Sequence, residues 1–324
     1  MSFFDDISSF SKSIGFVDFG ITESCALPEE QIRLEAYLQA GYHGQMDYLA
    51  RNVAMRCNPA LLVEKAASIW IFLAPYAPSP QTPAFGRIAG FAQGLDYHDQ
   101  IKERLHQVLS RIRTHFPEAD GRAFTDSAPL LERTWAVRCG LGFIGRNGLL
   151  IHPEYGSRVL IGALVLNLPI GTLETATGLP ISHLRPTPPR RLGCGHCHRC
   201  LEHCPGQALV APYCLDARRC VSYQTLEEPA MLRSQAKRER GCAPDRCGAT
   251  RPIGGWLYGC DTCQEVCPWN HKAKTATWTE FTQYQAELNA LTQADWQTLD
   301  LESLRKRFPR SPLLRAGLPQ LKDR

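Results

Sequence analysis

The run Cys194-x-x-Cys197-x-x-Cys200-x-x-x-Cys204-Pro205 constrains this 324-residue chain more than any other feature. Three cysteines at that spacing wrap a loop around one cubane [4Fe–4S] cluster, and the fourth points away to ligate a second cluster. The proline after it ends the turn and helps fix that divergence. A half-motif follows, Cys260-x-x-Cys263-x-x-x-Cys267-Pro268, and Cys220 upstream supplies the cysteine it lacks. The crossed-ligand rule then gives one cluster Cys194, Cys197, Cys200 and Cys267, and the other Cys204, Cys220, Cys260 and Cys263. The competing reading is a four-cysteine zinc site, with His196, His198 and His203 interspersed. Zinc sites rarely need the full run or two Cys-Pro endings.

Fourteen cysteines are unusual unless the compartment is known. The first thirty residues lack the basic start, apolar run and small-residue cleavage site of a secretory signal. The longest apolar run, Val159 to Ile170, is broken by Gly162 and Asn167; it is too short for a membrane helix and reads as a buried strand. The expected location is cytoplasmic, with no membrane partner. Thiols stay reduced there, so clustered cysteines point to metal or catalysis. Cys57 and Cys139 read as small core residues; Cys242 and Cys247 are left without a role. The net charge of +4 is mild, but basic residues crowd the second half: Arg185, Arg190, Arg191, Arg218, Arg219, Lys237, Arg238, Arg240, Lys272, Lys274, and Arg305 to Arg310. Such clusters contact phosphates or form a solvated basic surface.

Periodicity predicts a helix within 27–50 opened by Pro28, a buried strand at 67–76, and an amphipathic helix over 97–116 closed before Pro117. It predicts another helix starting at Ser127-Ala-Pro, and a strand pair over 148–168 around the turn HPEYGS. The first half therefore mixes helices and strands, α/β or α+β. TPPRR at 187–191 reads as a rigid connector, and a polar, tryptophan-bearing tail follows Asn270.

Five further motifs, FAQGLDYH (91–98), FTDSAPLLER (124–133), GLGFIGRNGLLI (140–151), PYCLDARRCVSY (212–223) and YGCDTCQEVCPWN (258–270), together resemble the epoxyqueuosine reductase family. The resemblance runs in the family's order from about residue 27 to 318. It implies an α+β fold: a reductive-dehalogenase-like cobalamin-binding α/β domain over 1–185, then a ferredoxin-like double [4Fe–4S] domain over 186–275. A short tail over 276–324 stands where many members add a helical-repeat domain. It further implies a cobalamin-dependent oxidoreductase that reduces the epoxide of epoxyqueuosine in the tRNA anticodon loop to queuosine, drawing on an external electron donor. A monomer is expected. Two departures from the family are Arg146, where lysine is more common, and a longer stretch between Cys220 and Cys260. A corrinoid reductase acting on a small molecule and a non-catalytic electron carrier remain as alternatives.

The resemblance also assigns residues. Asp126 matches the family's proton donor, a carboxylic acid expected to have a raised pKa; its simpler role is to cap the helix at Pro129. Arg56 matches an arginine near the corrinoid, and is otherwise a surface salt bridge. Asp96, Tyr97 and His98 are placed in the same pocket, with Asp96 alternatively a helix cap. Asn147, Leu149 and Leu150 follow a turn whose glycines (Gly140, Gly142, Gly145) permit close approach to a large cofactor. Ser222, Tyr258 and Gly259 flank cluster cysteines and are placed to touch cofactor and cluster. For tRNA, Arg218 and Arg219 are candidate phosphate contacts, and Tyr223, with Trp269, a stacking platform.

Overall fold

The structure, a computed structural model, describes residues 2–76, 82–178, 180, 192–227 and 254–315. Cys242, Cys247, Arg185, Arg190, Arg191, Lys237, Arg238 and Arg240 lie outside them. The first half runs α1 (Phe3–Ser13), β1 (Asp18–Glu23), α2 (Pro28–Gln39), α3 (Tyr48–Arg51), α4 (Val53–Cys57), β2 (Ser68–Pro75), β3 (Arg87–Ile88), α5 (Tyr97–Arg113), β4 (Gly121–Phe124), α6 (Glu132–Arg138), β5 (Phe143–Ile144), β6 (Leu150–Ile151), β7 (Val159–Leu166) and α7 (Ile170–Thr177). After it come α8 (Arg199–Glu202), β8 (Leu209–Ala211), β9 (Cys214–Leu215), α9 (Val221–Leu226) and β10 (Trp256–Tyr258), then a series of short helices.

Four strands form one sheet in the order β1-β2-β7-β4, antiparallel throughout. Every residue of β2 is buried, which explains its unbroken apolar run: side chains alternate between two faces, and both faces are covered. Trp70, Phe72 and Ala74 face a core shared with α1 and α5, including Ile7, Ile101 and Leu105. Ile69, Ile71 and Leu73 face a second core with Trp135 and Ala136 of α6. Gly162 lets α5 lie against β7, since a Cβ there would stand 2.7 Å from Ile101. An antiparallel sheet with helices on both faces is α+β.

Two local expectations are corrected. The helix expected from Ser127 begins at Glu132, and Leu131, not a polar residue, precedes it without a side-chain cap. The 148–168 segment does not pair with itself as strands. β6 pairs with β5, β7 with β2 and β4, and HPEYGS closes only a single His152–Gly156 bridge.

The segment after 276 is more than a tail. Trp278 and Phe281 insert into the core of α1 and α5. The Trp278 indole donates to Gly15 O at 2.6 Å, and the Arg104 guanidinium lies 3.8 Å from its ring centroid. Beyond it, Leu288, Trp296, Leu304 and Phe308 build a third core with Ile88 and Tyr258. Trp278→Ala is therefore expected to cost about 3–5 kcal/mol, as for other buried aromatics, read from denaturant midpoints at unchanged slope. Among the described residues no helix is long and apolar enough to cross a membrane.

Candidate functional site

Asp126 sits where β4 ends, in a left-handed conformation with φ of 56°. This is strained for most side chains and tolerated by Asp and Asn. Ser127 N bonds Thr125 O at 2.6 Å and Thr125 Oγ1 bonds Ile161 O at 2.8 Å, so the turn is anchored on β7. The Asp126 side chain is 66% exposed, and Tyr97 and His98 stand against its carboxyl. It does not cap a helix.

Those groups come from α5. Asp96 caps it, accepting from His98 N at 3.0 Å, and also receives His98 Nδ1 at 2.6 Å. Tyr97 Oη donates to Asp126 Oδ2 at 2.5 Å, and His98 Nε2 stands 3.5 Å from the same oxygen. Burial alone would raise the Asp126 pKa, but the bonds from His98 and Tyr97 outweigh it and hold the carboxyl below its usual range. The raised pKa expected of Asp126 is therefore not found on it. His98 is pulled down by burial and, more strongly, up by its two carboxylates, so its net shift is upward. Arg315, with Nη1 3.0 Å from Nε2, opposes that charge. Asp126 and His98 thus form a coupled pair in which the carboxyl favours its ionised form and the imidazole its protonated one.

The raised carboxyl is Glu132, which sequence reasoning took only as part of a helix start. Its Oε1 accepts the Asp126 N–H at 2.6 Å; burial and then the charge of Asp126 push it to about 8. The signal for it was its place six residues after Asp126, within the FTDSAPLLER motif. Between about pH 4.5 and 8 the unfolded chain ionises this group while the folded chain keeps its proton, so its contribution to stability falls as pH rises. Glu132→Gln should gain on the wild type in denaturant midpoint between pH 5 and pH 8; a constant difference would contradict the assignment.

Arg56 is 9% exposed rather than a surface ion pair. Its Nη2 donates to Tyr48 O at 3.1 Å, its Nε is buried without an acceptor, and burial lowers its pKa. Tyr48, 40% exposed, is pushed to about 12 by burial and by the charges of Glu227 and Asp126. The Asn147 side chain bonds Cys263. An unpaired donor such as Arg56 Nε is costly to bury unless a ligand satisfies it, so Arg56 fits a polar cofactor. Leu149 is half-buried, and Ser222 lies partly open beside Cys220.

Several assigned residues do other work. Leu150 is 3% exposed and belongs to the second core. Tyr258 is 3% exposed and donates its hydroxyl to Pro312 O at 2.8 Å. Tyr223 is 6% exposed under Gly44, and its oxygen accepts Gln45 N–H at 2.8 Å, so it offers no face for a base. Gly142 is needed for close packing on Ile151 O rather than for a cofactor, and Gly259 (φ 67°) for contact with Ala89 and Phe91. Arg218 grips Asp216 through Nε and Nη2, both at 2.8 Å, with half its side chain exposed; Arg219 Nη2 bonds Gln207 at 3.1 Å. Trp269 packs on Phe143.

Among the described residues no three His, Cys, Asp or Glu side chains converge as one metal ion requires, since four ligands about 2.3 Å from one ion crowd together. Instead Cys194, Cys197, Cys200 and Cys267 ring a cavity of about 120 Å³, with Arg146 and Asn147 in its wall. Burial, then Cys194, Cys267 and Cys197, push the Cys200 thiol to about 11. Cys263 is raised by burial and by Cys260, Asp261 and Cys220, and Cys220 in turn neighbours Cys204. The eight cysteines thus fall into two neighbouring sets of four, each rich in thiols that need a cation to ionise, which suits iron–sulfur ligation.

Comparison with known proteins accords with this layout. Residues 193–270 match the 4Fe-4S double cluster binding domain, and residues 56–127 match the family described as Epoxyqueuosine reductase QueG, DUF1730. An epoxyqueuosine reductase of Leadbetterella byssophila is 35% identical over 318 residues, 98% of this chain and 95% of that one. One of Pseudomonas aeruginosa is 35% identical over 319 residues, 96% of this chain and 80% of that one. A crystal structure of epoxyqueuosine reductase with a tRNA-Tyr epoxyqueuosine-modified tRNA stem loop superposes with a TM-score of 0.78 at 25% identity. It covers 98% of this chain and 79% of that one.

Proposed function

The chain belongs to the epoxyqueuosine reductase family, and from that premise we propose how its residues carry out the reduction of epoxyqueuosine in a tRNA anticodon loop to queuosine. Opening the epoxide and removing its oxygen as water takes two electrons and two protons. Cobalamin, when bound, would supply low-valent cobalt chemistry at the carbon centre, and two clusters on the eight cysteines would supply the electrons from an external donor. Residues 1–185 would hold the corrinoid, with Arg56 satisfying its polar groups and Asn147 beside it, and residues 186–275 the clusters. The described part of 276–324 packs against the core of the first part.

The chain's own chemistry is proton delivery. The observation that carries this reading is the exposed Asp126 carboxylate, bonded by Tyr97 and His98 at the end of a strained turn. One of the two protons goes to the departing oxygen from the Asp126–His98 pair and the other comes from solvent water; Tyr97 fixes the carboxylate's orientation, and Glu132 holds the turn through the Asp126 N–H. Arg218 and Arg219 are proposed as phosphate contacts, which would make tRNA affinity fall steeply with salt. The protein is proposed to act as a monomer in the cytoplasm.

The test is anaerobic reconstitution with iron, sulfide and cobalamin, followed by epoxyqueuosine-tRNA and a strong reductant, with nucleosides read by mass spectrometry. Queuosine is the expected product. Its absence in protein carrying both clusters and cobalamin would transfer the reading to a small-molecule reductase.

A further inference from the structure

Arg146 reaches out of the β5–β6 hairpin into the cysteine segment. Its Nη2 donates to Gly195 O at 2.6 Å and its Nη1 meets His198 Nε2 at 2.7 Å. Its backbone N–H donates to Cys194 Sγ at 3.4 Å, and its carbonyl accepts Tyr213 N–H at 2.9 Å. No carboxylate pairs with it among the ion pairs of the described residues. Its guanidinium is bonded by Gly195 O and His198 and by no carboxylate of the described residues, so its positive charge faces its surroundings. It lines the cavity ringed by Cys194, Cys197, Cys200 and Cys267, and its Nε–H is buried with no protein acceptor. The neighbouring Asn147, in the same wall, reaches the other set of cysteines through a bond to Cys263.

A buried donor without an acceptor costs about 1–3 kcal/mol, and Arg146 Nε at the wall of this cavity implies an acceptor inside it. The four thiolates and the bridging sulfides of a [4Fe–4S] cluster are such acceptors. Hydrogen bonds to the sulfurs and a nearby positive charge stabilise the reduced, more negative cluster and raise its potential. In the other set, Cys263 has the carboxyl of Asp261 beside it and a bond from the Asn147 side chain. A guanidinium beside one set and a carboxyl beside the other make the two sites electrostatically unlike.

We propose that Arg146 tunes the cluster held by Cys194, Cys197, Cys200 and Cys267, donating through Nε and its backbone N–H and making it the easier of the two to reduce. This rests on the two-cluster reading. In the electron relay that cluster becomes the resting place for an electron, and the other the poorer holder. Arg146 acts through the cluster and touches no substrate.

The experiment is a dithionite titration of the anaerobically reconstituted protein, followed by electron paramagnetic resonance, on wild type, Arg146→Lys and Arg146→Met. Iron and sulfide analysis comes first: fewer than two clusters in the wild type would fail the two-cluster reading itself. With both present, Arg146→Met should make one cluster at least tenfold harder to reduce, a downward shift of about 59 mV for a one-electron couple, leaving the other in place. Arg146→Lys, which keeps the charge but loses Nε–H and the fork, should shift the same cluster by less. Unchanged midpoints in both variants would overturn the proposal. So would loss of that cluster from both, which would make Arg146 a strut for assembly.

Discussion

Asp126→Asn is expected to slow formation of queuosine by about 10²–10⁴-fold, the range for a lost general acid, with iron content and unfolding midpoint nearly unchanged. Asn is the informative substitution because of the backbone: at φ of 56° it is tolerated where Ala would add strain. Its amide oxygen can still accept from Tyr97, and its backbone N–H still reaches Glu132. What disappears is the charge that helps hold a proton on His98. The pH profile separates this from a packing defect. In the wild type, turnover should fall as pH rises through the apparent pKa of the pair; in the variant that limb should move to lower pH or vanish. Equal turnover in both proteins would remove Asp126 from proton delivery.

Cys267→Ser should remove about half the iron and reduce queuosine formation to background. Cys267 is far in sequence from Cys194, Cys197 and Cys200, yet it lines their cavity. Cys204, though only four residues from Cys200, belongs with Cys220. The pattern predicts that Cys204→Ser and Cys267→Ser each leave one cluster, and that the two survivors differ in midpoint potential. Loss of one cluster also interrupts the electron path and leaves buried thiols such as Cys200, held near 11, with no cation to ionise them. Identical surviving clusters would disprove the crossed assignment.

The cluster ligands were legible in the sequence because cubane geometry demands a fixed spacing, and no packing detail intervenes. The central strand β2 was legible because burial on both faces leaves an unbroken apolar run. The start of α6 was not: Pro129 is compatible with a first helical turn, but the residues before Glu132 instead follow the bend that presents Asp126. The role of Glu132 depends on a contact to a backbone N–H, which no spacing encodes. Tyr223, Tyr258 and Leu150 lie in motifs of the family and turned out to be buried, since a motif records which residues persist and not which way they face. The resemblance named Asp126, Arg56 and Asn147, while the unsatisfied Nε of Arg146 emerged only from accounting for each buried polar atom.

β10 runs parallel to β3, and Cys260 follows it directly. Ala89 N bonds Tyr258 O at 2.8 Å and Gly90 N bonds Asp261 Oδ2 at 2.7 Å, so the second cysteine hairpin is stitched to the loop leading into Asp96, Tyr97 and His98. Oxidative loss of a cluster would loosen that stitch, and local opening of this kind exposes backbone to proteases. Integrity of the cysteine segment and order of the loop that carries Asp96, Tyr97 and His98 are thereby joined.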